Sequence, residues 1–234
     1  MPERLDKLIA DSGAASRSQA RALVRQGRVY VNGAPALSCE AKLDPDADVI
    51  CLDGQRLVCS KYRYFMLNKP CGVLSATADR EQKTVLDLLP ENLRRLGLFP
   101  VGRLDKDTSG LLILTNDGQY AHNVISPARH VPKRYVAGLD ARPDENAAAG
   151  FARGIVLADG LKCLPAQLRL LDGQTAEVTV YEGKYHQVRR MFAAAGFRVI
   201  TLRRVSTGAL ELDPELEQGQ FMELSRTQAD LVFK

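Results

Sequence analysis

Residues 102–118 read GRLDKDTSGLLILTNDG and set two carboxylates, Asp105 and Asp107, two positions apart beside Arg103, Thr108 and Ser109. Such a set supports three chemistries. A D-x-D pair can hold a cation, although Arg103 and Lys106 oppose one and no other acidic cluster accompanies it. A single carboxylate kept ionised by a positive partner can attack carbon or accept a proton. Arg103 is near in sequence, and Arg189 can arrive from a later helix. The third reading is an ordinary loop, with Asp107 capping and Asp105 exposed ahead of a buried strand. Spacing alone leaves the three open.

The elements that must hold this loop lie on both sides of it. YFMLNKP, from Tyr64, reads as a buried strand ended by Pro70, and TVLDLLP (84–90) as a short helix opened by Thr84. A compact apolar strand is expected at 111–114, with Asn116-Asp117-Gly118 as its exit turn. Further strands are expected at 133–139, 166–171 and 176–181, the last two flanking Asp172-Gly173 as a hairpin. In EGKYHQVRRMFAAAGFRVITLRRVSTGALEL (182–212), Val188, Met191, Phe192 and Ala195 recur at helical spacing and Gly196 stops the helix. A strand should follow at 198–202. Between 183 and 206 there are six Lys or Arg residues and no acidic ones, a cluster suited to a polyanion. His186 reads as a structural hydrogen-bonder, since no other ligand is spaced to join it in a metal site. Frequent strands and hairpins predict an α+β domain with a mixed, mostly antiparallel sheet.

A smaller module precedes it. Leu5, Leu8 and Ile9 give one helical stripe, ended by Gly13. Ser16 stands three residues before Gln19, the pattern of a capping box. That box opens a second helix with Ala20, Leu23 and Val24 inside and Gly27 as its stop. Arg17, Arg21 and Arg25 share one face of it. A strand (29–31) enters the Asn32-Gly33 turn, and a strand at 49–52 with Asp53-Gly54 and Leu57-Val58 completes the unit. Residues 1–33 carry six basic and three acidic side chains, whereas 34–60 carry two and five. The module is neutral as a whole, with its positive charge gathered on the arginine helix. CSKYR (59–63) reads as the linker, giving domains of 1–59 and 60–234.

The whole chain narrows the function classes. Its 234 residues suit one large domain with a small module, and a net charge of +4 is too mild to assign a partner. Five cysteines without a C-x-x-C pair, and three histidines, offer no zinc spacing and fit a reducing, cytoplasmic setting. The first apolar stretch is too short for a signal peptide, and no run is long enough to span a membrane. G-x-G-x-x-G and the P-loop motif are absent, so a dinucleotide or nucleotide-triphosphate site is unsupported.

GRLDKDTSGLLILTNDG resembles the signature of the pseudouridine synthases of the RsuA/RluA superfamily, in its RsuA-type form. YFMLNKPCGVLS, TVLDLLP, KRYVAGL and EGKYHQVRRMFAAAGF resemble that family's further blocks, in its order and spacing. RLDKLIADSGAASRSQARALVRQGRVYVNG resembles the S4-like RNA-binding module. Together these cover essentially the whole chain. The resemblance implies a small N-terminal S4-like (αL) module and a larger catalytic domain that isomerises uridine in ribosomal RNA. It makes Asp105 the essential aspartate, Tyr135 the residue packed on the target uracil, and Arg189 the basic partner of the aspartate. Arg103 becomes the residue that fills space in the RNA, and Asp107 a loop stabiliser. Arg17, Arg21, Arg25, Lys184 and Arg190 are expected RNA contacts. Neither cofactor nor metal is implied, and the partner is ribosomal RNA or a pre-ribosomal particle, met by a monomer away from membranes. Two positions depart from the family: Thr207 stands where relatives usually have a larger aliphatic residue, and Arg134 replaces a smaller one. The chain ends at Lys234 without the long basic tail of some large-subunit-specific relatives, which favours small-subunit RNA. Large-subunit RNA and a non-catalytic assembly factor are the alternatives.

Overall fold

The computed structural model describes residues 2–45 and 47–234. These form two compact units, one running to Arg63 and including Leu89–Leu98, the other made of Tyr64–Leu88 and Phe99–Lys234. Two features therefore differ from the expected division at 59/60. The first unit runs on to Arg63, whose guanidinium donates to the Ser12 carbonyl at 3.4 Å. It also takes in Leu89–Leu98. The reason is local to Gly13, where a Cβ would sit 2.5 Å from the Asn92 carbonyl oxygen and 3.2 Å from Leu96. Only a bare Cα lets the 89–98 segment lie against the end of the first helix.

In the first unit, β1 (Glu3–Arg4) leads into α1 (Leu5–Asp11) and α2 (Arg17–Arg25). The capping box is present, with Ser16 Oγ accepting from the Gln19 amide at 3.3 Å and Gln19 Oε1 from the Ser16 amide at 2.8 Å. Leu5, Leu8, Ile9, Ala20 and Val24 form the core with Val29 and Ile50. The strands β2 (Val29–Val31), β3 (Ala34–Pro35), β4 (Lys42–Leu43), β5 (Ile50–Leu52) and β6 (Gln55–Arg56) follow. They pair in the order β3-β2-β5-β6, with β1 and β4 as a separate pair.

The second unit is built on one nine-stranded sheet. Its elements are β7 (Tyr64–Lys69), then β8 (Phe99–Pro100), β9 (Ser109–Thr115), α4 (Gly118–Ile125) and β10 (Lys133–Leu139). After them come α5 (Glu145–Arg153), β11 (Gln167–Leu170), β12 (Thr175–Val180), α6 (Gln187–Ala194), β13 (Val199–Thr207), β14 (Leu210–Glu211), β15 (Phe221–Leu224) and α7 (Arg226–Ala229). A short helix, α3 (Glu91–Arg94), belongs to the first unit. The strand path is β11-β12-β10-β13-β9-β7-β15, with β14 along β13 and β8 along β9. All pairings in it are antiparallel except β13 with β9. Every residue of β7 and β9 is buried, and each strand carries a continuous apolar run, YFML and LLIL.

Three local expectations are revised. The 84–90 segment is a single 3-10 turn, Val85–Leu88, because Asp87 Oδ2 accepts both the amide and the hydroxyl of Thr84 at 2.8 Å. Asn116-Asp117-Gly118 is more than an exit turn. Asp117 caps α4 through Oδ1 (Tyr120 amide, 3.0 Å), and its Oδ2 accepts the Tyr64 hydroxyl at 2.7 Å. The strand expected at 198–202 runs on to Thr207 as β13, the neighbour of both β10 and β9.

Candidate active site

The loop between β8 and β9 carries Arg103, Asp105 and Asp107, and its shape is set by its own carbonyl groups. Thr108 N–H donates to the Asp105 carbonyl at 3.1 Å, closing a tight turn. The Lys69 ammonium, fully buried at the end of β7, donates to the carbonyls of Pro70, Asp105, Lys106 and Thr108 at 3.0, 3.1, 3.3 and 3.0 Å. Ser75 Oγ donates to the Leu104 carbonyl at 2.8 Å and accepts the Leu104 amide at 3.0 Å. Gly72 N–H meets the Lys106 carbonyl, and Arg189 Nη2 meets that of Asp107 at 2.9 Å. From Leu104 to Thr108, every carbonyl has a donor. Burial pushes the Lys69 ammonium down from 10.5 to about 8, so the site holds a cation against its desolvation cost.

The end of the loop needs Gly110. Its φ is +104°, and a Cβ there would lie 2.1 Å from the Arg204 carbonyl oxygen and 2.8 Å from the Arg204 amide. At this point β9 meets β13 in the sheet's parallel pairing, Arg204 opposite Gly110. Glycine is required by both backbone angle and contact.

The Asp105 side chain, one-third exposed, enters a cleft of about 550 Å³. Tyr135, Lys133 and Arg204 line the same cleft. Tyr135, on β10, is 9% exposed and sits opposite Arg204 in the ladder. Arg204 is buried, with Nε donating to the Leu111 carbonyl at 2.7 Å. Burial first, and the Arg204 charge second, push the Lys133 ammonium down to about 8. The cleft thus sets the Asp105 carboxylate and the Tyr135 phenol beside the cations Lys133 and Arg204.

The side chain within ion-pair distance of Asp105 is not the one the resemblance implies. Arg189 makes no ion pair with it, because its guanidinium bridges the carbonyls of Asp107 and Val199. His186 stands there instead, Nε2 3.5 Å from Asp105 Oδ1. It sits just ahead of α6 with φ 47°, a left-handed conformation that costs a non-glycine residue about 1–2 kcal/mol. Lys69, His186, Lys133 and Arg204 were not singled out as site residues in the sequence. Their signals are positional: Lys69 ends an apolar strand, His186 stands just ahead of the α6 stripe, Lys133 opens β10, and Arg204 lies within β13.

The remaining expected residues separate into tied and open cations. Arg103 is exposed on the rim of the cleft, with no hydrogen bond or ion pair to another described residue. Lys184 pairs with Glu182, and Arg190 with Asp159. In the first unit, Arg17 and Arg21 approach the buried Asp6 at 3.1 and 3.9 Å, and Arg4 joins them at 3.0 Å. Arg25 Nε donates to the Arg21 carbonyl, leaving its charge unpaired among the described residues. Among the described residues, no group of three or more His, Cys, Asp or Glu side chains is arranged to hold a metal ion.

Residues 63–194 match the RNA pseudouridylate synthase family, and residues 3–49 match the S4 domain. The chain belongs to the RNA pseudouridylate synthase family. An uncharacterized RNA pseudouridine synthase of Bacillus subtilis, YtzG, is 41% identical, covering 98% of each chain. Ribosomal small subunit pseudouridine synthase A of Haemophilus influenzae is 37% identical over 99% of this chain and 100% of that one. The Escherichia coli protein of the same name is 39% identical over 95% and 96%. A crystal structure of a pseudouridylate synthase superimposes with a TM-score of 0.70 at 37% identity, covering 98% and 99% of the two chains. As an RNA pseudouridine synthase of the RsuA type with an S4 domain, this chain is an isomerase of uridine in RNA. Among the described residues, no helix is long and apolar enough to cross a membrane.

Proposed function

We propose that this synthase converts one uridine of small-subunit ribosomal RNA to pseudouridine in the cleft around Asp105. The carrying observation is the Asp105 carboxylate, presented into the cleft by a loop whose backbone is held independently of that side chain. The names of the near-full-length Haemophilus and Escherichia relatives support the small subunit as the source of the RNA.

The reaction breaks the bond from C1′ to N1, turns the uracil, and rejoins it through C5, with no net oxidation. A carboxylate can serve by attacking C1′, as in retaining glycosidases, or by taking the C2′ proton. Either route needs the nucleotide turned out of its stack, at a cost of a few kcal/mol. Tyr135 would pack against the uracil. Arg103, open at the rim, would occupy the space the base leaves. Arg189 acts as a positioning residue through the Asp107 carbonyl, and contacts to RNA phosphates by the S4 unit would offset the cost of flipping. A ribosomal RNA substrate places the protein in the cytoplasm.

Asp105→Asn should abolish pseudouridine formation while RNA affinity stays within about tenfold. Pseudouridine mapping of treated small-subunit RNA, with filter binding alongside, measures both. Near-normal turnover in the variant would remove Asp105 from the chemistry.

A further inference from the structure

Tyr185 is the most exposed tyrosine or phenylalanine ring among the described residues, at 73%, and it stands on the rim of the Asp105 cleft. One face is covered: it stacks on His186 with centroids 3.9 Å apart and planes 16° from parallel. The imidazole beneath it is the group whose Nε2 lies 3.5 Å from the Asp105 carboxylate. The other face is open. The ring rests on a half-buried imidazole and leaves a flat aromatic face toward solvent at the rim of the cleft.

The segment carrying it is braced. Glu182 accepts from Gln187 Nε2 at 2.7 Å and from the Leu164 amide at 2.9 Å, and it pairs with Lys184. Gln187 Oε1 accepts the Lys184 amide at 3.0 Å, and Arg190, held by Asp159, donates to the Tyr185 carbonyl at 3.3 Å. A ring held in this way loses little freedom when a second ring lies on it. The open cation Arg103 lines the same cleft, so an aromatic ligand attached to a polyanion fits better than an apolar peptide.

Resting on the assignment of the cleft as the uridine site, we infer that the Tyr185–His186 stack is a ledge for a nucleobase of the same RNA strand, next to the uridine in the cleft. The outer face of Tyr185 receives the base, and His186 links that layer to Asp105. Stacking of this kind tolerates any base, so the ledge grips the strand without reading its sequence.

The test uses the full chain and a single-stranded oligouridylate of roughly twelve nucleotides, within the footprint of single-strand binders, with one 2-aminopurine near its centre. The wild-type protein should quench the 2-aminopurine on binding. Tyr185→Ala should remove the quench and weaken binding about tenfold, whereas Tyr185→Phe and Tyr185→Trp should keep both. With small-subunit ribosomal RNA, Tyr185→Ala should raise KM and leave kcat within about twofold. A wild-type complex without quenching, or an alanine variant that quenches and binds like wild type, overturns the ledge. Failure of the proposed function reads differently: wild-type protein would leave ribosomal RNA free of pseudouridine while the oligonucleotide quench persisted.

Discussion

Thr207, one of two positions that the resemblance sets apart, is a buried hydroxyl with an energetic cost. It is 3% exposed, and its Oγ1 has no hydrogen-bond partner among the described atoms. A buried hydroxyl in that position lost its water on folding and gained nothing in return. Thr207→Val keeps the shape and removes the hydroxyl, so it should stabilise the chain by about 1 kcal/mol. Urea unfolding followed by circular dichroism measures this, and a less stable variant would mean the hydroxyl has a partner after all. Arg134, the other position set apart by the resemblance, makes ion pairs to Glu177 on the neighbouring β12 and to Glu211 on β14. Asp105 and Asp107 also separate cleanly at this scale. The first presents its carboxylate to the cleft, while the second matters through its carbonyl, which Arg189 holds.

At the scale of elements, the loop between β8 and β9 depends on a residue from a different strand. Lys69→Met would take one donor from each of four main-chain carbonyls at the loop and should cost about 2–4 kcal/mol. A loss under about 0.5 kcal/mol in urea unfolding would refute the role given to the ammonium. The pH dependence has a definite sign. The folded Lys69 titrates at about 8 and the unfolded side chain at 10.5, so between those values the unfolded chain binds more protons. The Lys69 contribution to stability therefore rises with pH across that window. Lys133, also near 8, contributes with the same sign, so Lys69→Met should remove about half of the combined rise. The sequence made β7, β9, α1, α2 and α6 legible because each carries an unbroken apolar run or a clean helical stripe. It did not announce α4, whose N-cap Asp117 sits in a tripeptide that also spells a turn, or α5, whose Ala-Ala-Ala-Gly centre gives a weak stripe. The Lys69 socket was illegible for a deeper reason: its partners are main-chain carbonyls, and these leave no mark on residue type.

For the molecule as a whole, the arginine row of α2 is less free than its spacing suggested. Arg17 joins Arg4 in neutralising the buried Asp6, and Arg21 and Arg25 are the members most open to a phosphate. A chain with both Arg21→Gln and Arg25→Gln keeps two partners on Asp6 and should fold normally. Its RNA affinity should fall, and the slope of log affinity against log salt should flatten by about 1.4, two single-strand phosphate contacts. An unchanged slope in filter binding across a salt series would take those residues out of the RNA interface. This is a better probe than truncation at residue 59, since Leu93 and Leu96 pack in the same unit as the N-terminal helices and would lose their cover. The carbonyl-bound loop has a last consequence on this scale. Because its course is written in main-chain atoms, the side chain at 105 is a detachable part, and exchanging it should leave most of the grip on the RNA in place. On the proposed chemistry, a cell filled with the asparagine form would carry full-size decoys, each sitting on its ribosomal site and shielding that uridine from the working enzyme.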